Sequence, residues 1–341
     1  MSCGKELSYR FDNVEQGRAV HSYEIYGCNT RSDEAGESFP TACSIMTTDL
    51  QTGMAYALLA GTLWGVGPIV LKRALKHTSV GTATLTEQYI SVLLLGVLAA
   101  YHGELAQLDF TSRAFWAFFL AGAIGASFGK IFYYKGIDRV GASKATSMKN
   151  SSPILTTLLA VISLGEHMTV LILAGVLLIV AGIAALTRTE KTATGSPNRL
   201  EYFFFPLLAA ICFGINPIFK KIGINAVSLP ILGAFVTQAT ALLVMLTFGR
   251  FLSVKPKWEL IPVKALALVT LSSLTEALGS LFTFFALIYA PAVLVSPMWR
   301  ISPLVTFALA HFSLRGIEVV TLRDGLAAGL IVGGVFVLSQ G

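Results

Sequence analysis

The sequence predicts an all-α integral membrane protein, with ten transmembrane helices in two inverted five-helix repeats. Three observations predict it. Of 341 residues, 54% are hydrophobic and only 13% are charged. The apolar residues gather into ten long stretches, and the second five repeat the first at an offset near 150 residues. A soluble domain carries about 25% charged residues. The deficit, with a mean hydropathy of +0.70, places the chain in a bilayer. No stretch alternates polar and apolar residues with period two, which excludes a membrane β-barrel.

The elements follow in chain order. Residues 1–46 are polar, mixed in charge and without an apolar run long enough for a signal-peptide core. They read either as a disordered extension or as a segment ahead of a natural start at Met46, where "MTTDLQTGMAYALLAGTLWG" leads into the first helix. A spanning helix needs about 20 mainly apolar residues. From Gly53 onward such stretches occupy 53–72, 80–101, 114–134, 141–163, 168–187, 203–222, 229–249, 262–288, 291–313 and 323–339. The first repeat is therefore expected over 47–188, a linker loop over 189–202 and the second repeat over 203–341.

The repeat is legible residue by residue. "LLAGTLWGVGPIVLK" (58–72) aligns with "LLAAICFGINPIFKK" (207–221), placing Gly65 on Gly214 and Pro68 on Pro217 at an offset of 149. In the fourth and ninth stretches Met148, Ser152, Pro153 and Thr156 fall on Met298, Ser302, Pro303 and Thr306 at an offset of 150, as Gly129 falls on Gly279. In the second and seventh, "TEQ" (86–88) faces "TQA" (237–239). Each half holds an odd number of spans, so the second copy sits upside down relative to the first. Transporters built this way carry the solute near the midplane, between the halves.

These features resemble the drug/metabolite transporter superfamily, EamA type. The resemblance rests on two five-helix halves, the "WG…P" first span, and the "SP" fourth span closing with Gly165-Glu166, and it covers residues 53–340. The second half departs from it, reading "RGIE" at 315–318. The resemblance implies movement of a small solute by alternating access, without ATP hydrolysis, and does not name the solute.

Two local frames, "SMKNSSP" (147–153) and "PMWRISP" (297–303), place Lys149 and Arg300 inside apolar stretches. Lys149 lies about eight residues into its span, roughly 12 Å deep at 1.5 Å per residue, and Arg300 reaches a similar depth from the opposite face. Facing lipid, each would cost about 2.5–3.5 kcal/mol, so both are expected to face a wet central cavity. Lys130 adds a third cation, which could instead reach the interface beside Lys135. Glu87 and Glu276 could neutralise the cations or act as proton-coupling sites. Three cations against two acids leave one positive charge for an anionic solute group. Pro68, Pro217, Pro153 and Pro303 are expected to break helices beside the cavity. Asn150 and Asn216 offer donors and acceptors. Trp64, Trp299, Tyr133, Tyr134 and Phe284 could wall the site or simply pack.

Other features read as structural. Gly325, Gly329 and Gly333, like Gly125 and Gly129, recur at spacing four and suit close helix packing; the run in the tenth stretch could also support a homodimer. Cys3, Cys28, Cys43 and Cys212 show no metal-ligand or disulfide spacing. His311 stands alone on an apolar helix. No HExxH, GxSxG or Walker loop is present, which speaks against an intramembrane enzyme. No basic aromatic-rich segment suited to nucleic acid appears. The function expected is secondary transport of a small organic solute in the plasma (inner) membrane, with lipid, the solute and a coupling proton or counter-anion as partners and no cofactor. The alternative is a lipid or lipid-linked anion translocator of the same fold.

Charge also orients the chain. Loops 72–76, 135–144, 188–199, 250–264 and 315–323 hold 15 Lys and Arg, while the opposite loops hold only Arg113, Lys220 and Lys221. The positive-inside rule puts the first set in the cytoplasm and both termini outside; the family resemblance implies both termini in the cytoplasm. A cysteine placed within 188–199 is therefore expected to escape an impermeant thiol reagent added to intact cells. Labelling there, with protection at Gly341, reverses the orientation.

Overall fold

A computed structural model describes residues 42–74, 77–78, 80–140, 149, 151–187, 204–248, 262–302, 304–305, 308–309, 322–338 and 340. Among them every regular element is helical. The elements are α1 (Ala42–Ala74), α2 (Val80–Tyr101), α3 (Arg113–Ala121), a π-helical segment (Gly122–Gly129), α4 (Lys130–Val140), α5 (Ser152–Leu164) and α6 (Val170–Thr187). There follow α7 (Phe204–Ala226), α8 (Pro230–Phe248), α9 (Val263–Tyr289), α10 (Ala292–Met298), a 3₁₀ turn (Trp299–Ile301) and α11 (Leu322–Leu338). A short 3₁₀ turn, Glu104–Gln107, follows α2.

Six helical stretches are long and apolar enough to cross a membrane: Thr48–Leu71, Thr82–Tyr101, Arg113–Tyr133, Phe204–Ala226, Pro230–Phe248 and Val263–Tyr289. Three shorter apolar ones, Ser152–Leu164, Val170–Ala185 and Ala292–Ile301, fall on further expected spans. Burial is distributed as in a lipid-facing bundle. Large apolar side chains such as Leu93, Val97, Ile162 and Phe336 point outward, while Gln88, Ser91, Thr237, Ser273 and Arg300 are buried.

The two halves interlock. α1 packs along α9, and its counterpart α7 packs along α3, the π segment and α4; α2 lies on α8, and α6 lies on α11. Glycines permit the closest approaches. A Cβ on Gly61 would come 2.6 Å from the Trp299 carbonyl oxygen, and one on Gly182 would come 2.8 Å from that of Ala327. Gln88 donates to the Oε1 of Gln238 at 2.7 Å and to its backbone carbonyl at 2.9 Å. These glutamines stand on α2 and α8, the second helix of each half, so corresponding helices meet through them.

Carboxylates from the first half cap helices of the second. Glu104 accepts from the Leu232 N–H at 2.7 Å near the start of α8. Glu166, which follows the left-handed Gly165 (φ 67°) closing α5, accepts from Ala292 and Val293 N–H at 2.8 Å each. The first N–H groups of a helix lack an intrahelical partner, and negative charge is favoured there. Lys221 holds the other side of the same turn, donating to Leu287 O at 2.5 Å and Ala290 O at 3.2 Å.

Several expectations are corrected. Pro68 and Pro217 do not break α1 and α7, which run through them. Each proline withholds one N–H, but packing on both sides keeps the neighbouring turns helical. The third span contains an eight-residue π segment that no residue pattern announces. Helix α1 begins at Ala42, upstream of the expected boundary at 47. Lys220 and Lys221 sit inside α7 and are buried, not in a loop. Gly329 and Gly333 meet nothing within 4 Å; the close contact on α11 is made by Gly334 against Gly175 and Ile179. Asn150, Pro303 and His311 lie outside the described residues, as do the side chains of Pro68 and Tyr134.

Removing the Glu166 cap strands two N–H groups on residues 0% and 1% exposed. Leaving a buried donor unsatisfied costs about 1–3 kcal/mol. Glu166→Ala should therefore lower the melting temperature of the purified protein, and Glu166→Gln should lower it less. Equal melting of Glu166→Ala and wild type would remove the capping role.

Candidate functional site

The interior polar cluster begins where two spans lose regular α-helix. Ser151 forms a turn ahead of α5, and Pro153 sits in the first turn of that helix, where its missing N–H costs nothing. Opposite it, α10 tightens into the 3₁₀ turn that carries Arg300. The two breaks are joined: Arg300 Nη2 donates to Ser152 Oγ at 2.6 Å. Lys149 lies just before the first break, three residues from Ser152. Arg300 is thus joined to the segment that follows Lys149.

Lys130 and Glu276 are brought together as well. Lys130 Nζ lies 3.1 Å from Glu276 Oε1, with the two side chains 22% and 25% exposed. Lys130 therefore does not reach for the interface; it is held inward by a carboxylate from the other half. Glu87 accepts from Ser272 Oγ at 2.6 Å and feels the charges of Glu276 and Lys130. Neither acid makes an ion pair with Lys149 or Arg300 among the described residues. The Nε of Arg300 is buried without a hydrogen-bond partner there.

Aromatic rings line the same region. Lys149 Nζ stands 4.5 Å from the centroid of the Tyr133 ring and 5.4 Å from that of Phe213. Trp64 and Trp299 meet edge to face at 5.7 Å, and Trp64 rests on Gly279, where a Cβ would come 2.7 Å from its indole nitrogen. That nitrogen too has no partner. Asn216 is engaged structurally: its Nδ2 donates to Ala121 O at 2.6 Å and its side chain fills the space beside Gly125, at the entry to the π segment. π segments of this kind recur at functional sites because they re-aim side chains. Ser127 within it bonds back to Gly122 O at 3.1 Å and across to Ala241 O at 3.3 Å.

Sequence reasoning missed Lys220. It is 4% exposed, and its Nζ stands 5.0 Å from the Phe284 ring and 5.9 Å from the Trp64 ring. Its signal was present, because α7 continues to Ala226 and so carries "KK" well inside the helix. The interior set is therefore four cations (Lys130, Lys149, Lys220, Arg300) against two carboxylates (Glu87, Glu276). Among the described residues no group of three His, Cys, Asp or Glu is placed to hold a metal.

Comparison with known proteins bears on this arrangement. The profile of the EamA-like transporter family matches residues 51–188 and again 200–340. A relative from Bacillus subtilis (strain 168), described as "Uncharacterized transporter YoaV", is 24% identical over 137 residues, covering 40% of this chain. The match spans 47% of that relative's own length. A solved structure described as "Crystal structure of protein" shares the fold with a TM-score of 0.66 at 19% identity, covering 85% of this chain and 97% of its own.

The Lys130–Glu276 pair can be tested by a double-mutant cycle. Removing one partner of a buried pair costs about 3–5 kcal/mol, more than replacing both with apolar groups, and the partial exposure here trims that figure. Glu276→Leu alone should lower the melting temperature more than Lys130→Met with Glu276→Leu. Additive losses would show that the pair does not couple.

Proposed function

The chain belongs to the EamA-like transporter family, and from that premise we propose that it moves a small organic solute bearing an anionic group across the membrane. It is a multi-pass membrane transporter rather than an enzyme. Movement is by alternating access of two inverted five-helix repeats, ten spans in all. The reciprocal packing of α1 on α9 and of α3–α4 on α7, with Gln88 meeting Gln238, supports that inversion.

The observation that carries the solute class is the bond from Arg300 to Ser152, three residues after Lys149. Two cations sit at two helix breaks, one from each half, and neither pairs with a carboxylate among the described residues. Arg300 keeps a buried Nε donor for an oxyanion, and its planar fork suits a carboxylate or phosphate. A solute anion arriving there replaces water with charge-assisted bonds at depth. The site lies between the halves, so rocking of one half on the other exposes it to either side.

The loop charges support an orientation with both termini outside. With helical residues set aside on both faces (Lys220, Lys221 and Arg113 on one; Lys72, Arg73, Lys135, Arg139, Lys264 and Arg323 on the other), nine of the 15 remain outside the described helices and none on the opposite face.

Hydrogen bonds to charged groups are worth about 1.5–3 kcal/mol, a factor of roughly 10 to 150 in affinity. A thermal-shift panel of small carboxylates and phosphate esters on purified protein selects the ligand. Lys149→Gln and Arg300→Gln should each weaken it by that factor while inserting normally, and Arg300→Lys should recover part. Full transport by a well-folded Lys149→Met, Arg300→Met double mutant ends the proposal. Competition by lipid-linked anions alone favours the lipid translocator.

A further inference from the structure

Lys149 and Lys220 are seated alike on aromatic rings, although neither is the repeat counterpart of the other. Lys149 rests on Tyr133 and Phe213; Lys220 rests on Phe284 and Trp64. Trp64 falls on Phe213 at the 149-residue offset of the first spans, and Phe284 falls on Tyr134, the neighbour of Tyr133, at 150. The two seats thus share one wall position of the repeat, and their second walls lie one residue apart in it. The lysines filling them come from different spans: the counterpart of Lys149 is Trp299, and that of Lys220 is Leu71.

Two ammonium groups therefore rest on aromatic faces, and Lys220 is linked to the Arg300 turn through Trp64, whose ring meets Trp299, the neighbour of Arg300, at 5.7 Å. A ring face attracts a cation but accepts few of the three N–H donors of a lysine. Among the described residues neither lysine has a carboxylate partner. Both feel the charges of the Lys130–Glu276 pair. The interior carboxylates are already engaged, Glu276 by Lys130 and Glu87 by Ser272. Lys220, at 4% exposure, is more than nine-tenths buried. A buried ammonium without an anion is costly, and four cations over two carboxylates leave two positive charges to be met.

We propose that Lys220 forms a second anion seat, and that the solute is a dianion whose two charged groups bridge Lys149–Arg300 on one side and Lys220 on the other. This rests on the anionic-solute reading above and narrows it to dicarboxylates and acids of like charge. One group would sit with Arg300 and Lys149, the other against Lys220 beside the unpartnered Trp64 indole N–H.

The test uses the full chain in detergent, with succinate, glutarate and adipate, each compared with its own monomethyl ester. The ester keeps the chain and loses one charge. Wild type should be stabilised by at least one diacid at a concentration 10- to 150-fold below that of its ester. Lys220→Gln should erase that preference and leave the ester's effect unchanged, whereas Lys149→Gln should weaken both. Lys220→Met, which removes the buried charge without leaving a polar group behind, is the second variant should Lys220→Gln not fold. Diacid and ester acting equally on wild type, or Lys220 variants weakening both alike, overturns the second seat and leaves the anionic reading standing. Indifference to every acid in the series overturns that reading and this inference with it.

Discussion

Lys130 reaches Glu276 across the two halves at 3.1 Å, and the electrostatics of the interior depend on that contact. It ties the third span of one repeat to the third span of the other. It also consumes the acid that would otherwise neutralise the neighbouring cations. Hydrocarbon offers no water to an unpaired charge, so each buried ion must find its counter-charge, a π face or a solute. With Glu276 committed to Lys130, Lys149 and Lys220 fall back on aromatic rings and Arg300 on the Ser152 hydroxyl. The positive surplus of the site follows from this one allocation.

The backbone obeys the same constraint. Helices start and stop inside the protein only where side chains take up the freed groups. Glu104 and Glu166 do so for α8 and α10, and Lys221 does so for the end of α9. The break ahead of Arg300 is tolerated because α1 presses against it through Gly61 and Gly65, leaving no room for anything but protein. Irregular backbone at this depth is thereby confined to the region between the halves.

Much of the fold was legible because hydropathy and repeat register act over whole segments. The boundaries 80–101 and 229–249 fall within a residue of α2 and α8, and Lys130 and Glu276, both singled out as interior charges, meet at 3.1 Å. What was not legible depends on three-dimensional partners. Proline at 68 and 217 signals a break locally, yet helix packing on both flanks keeps α1 and α7 continuous. Within the π segment Gly125 leaves room for the Asn216 side chain of another helix, a contact between residues far apart in sequence. Glu166 could be recognised as part of a motif, but its role needs the N–H groups of Ala292 and Val293, more than a hundred residues away. Lys220 was passed over because it lies two residues from the end of the expected 203–222 span, where a lysine reads as interfacial, whereas the helix runs on to Ala226.

The grip of Glu166 and Lys221 on the turn between α9 and α10 has a mechanical consequence. Two bonds fasten the end of α5 to the start of α10, and two more fasten the end of α7 to the end of α9. Arg300 lies less than three turns of helix beyond the anchored residues, and Ser152, its partner, lies at the far end of α5. The chain of contacts closes into a loop: α5, Glu166, α10, Arg300 and back to Ser152. α5 of one half is thus tied to α10 of the other at both of its ends, so sliding of these two helices past each other must first break the Glu166 bonds or the Arg300–Ser152 bond. Motion between the halves is gated at this contact by those few hydrogen bonds.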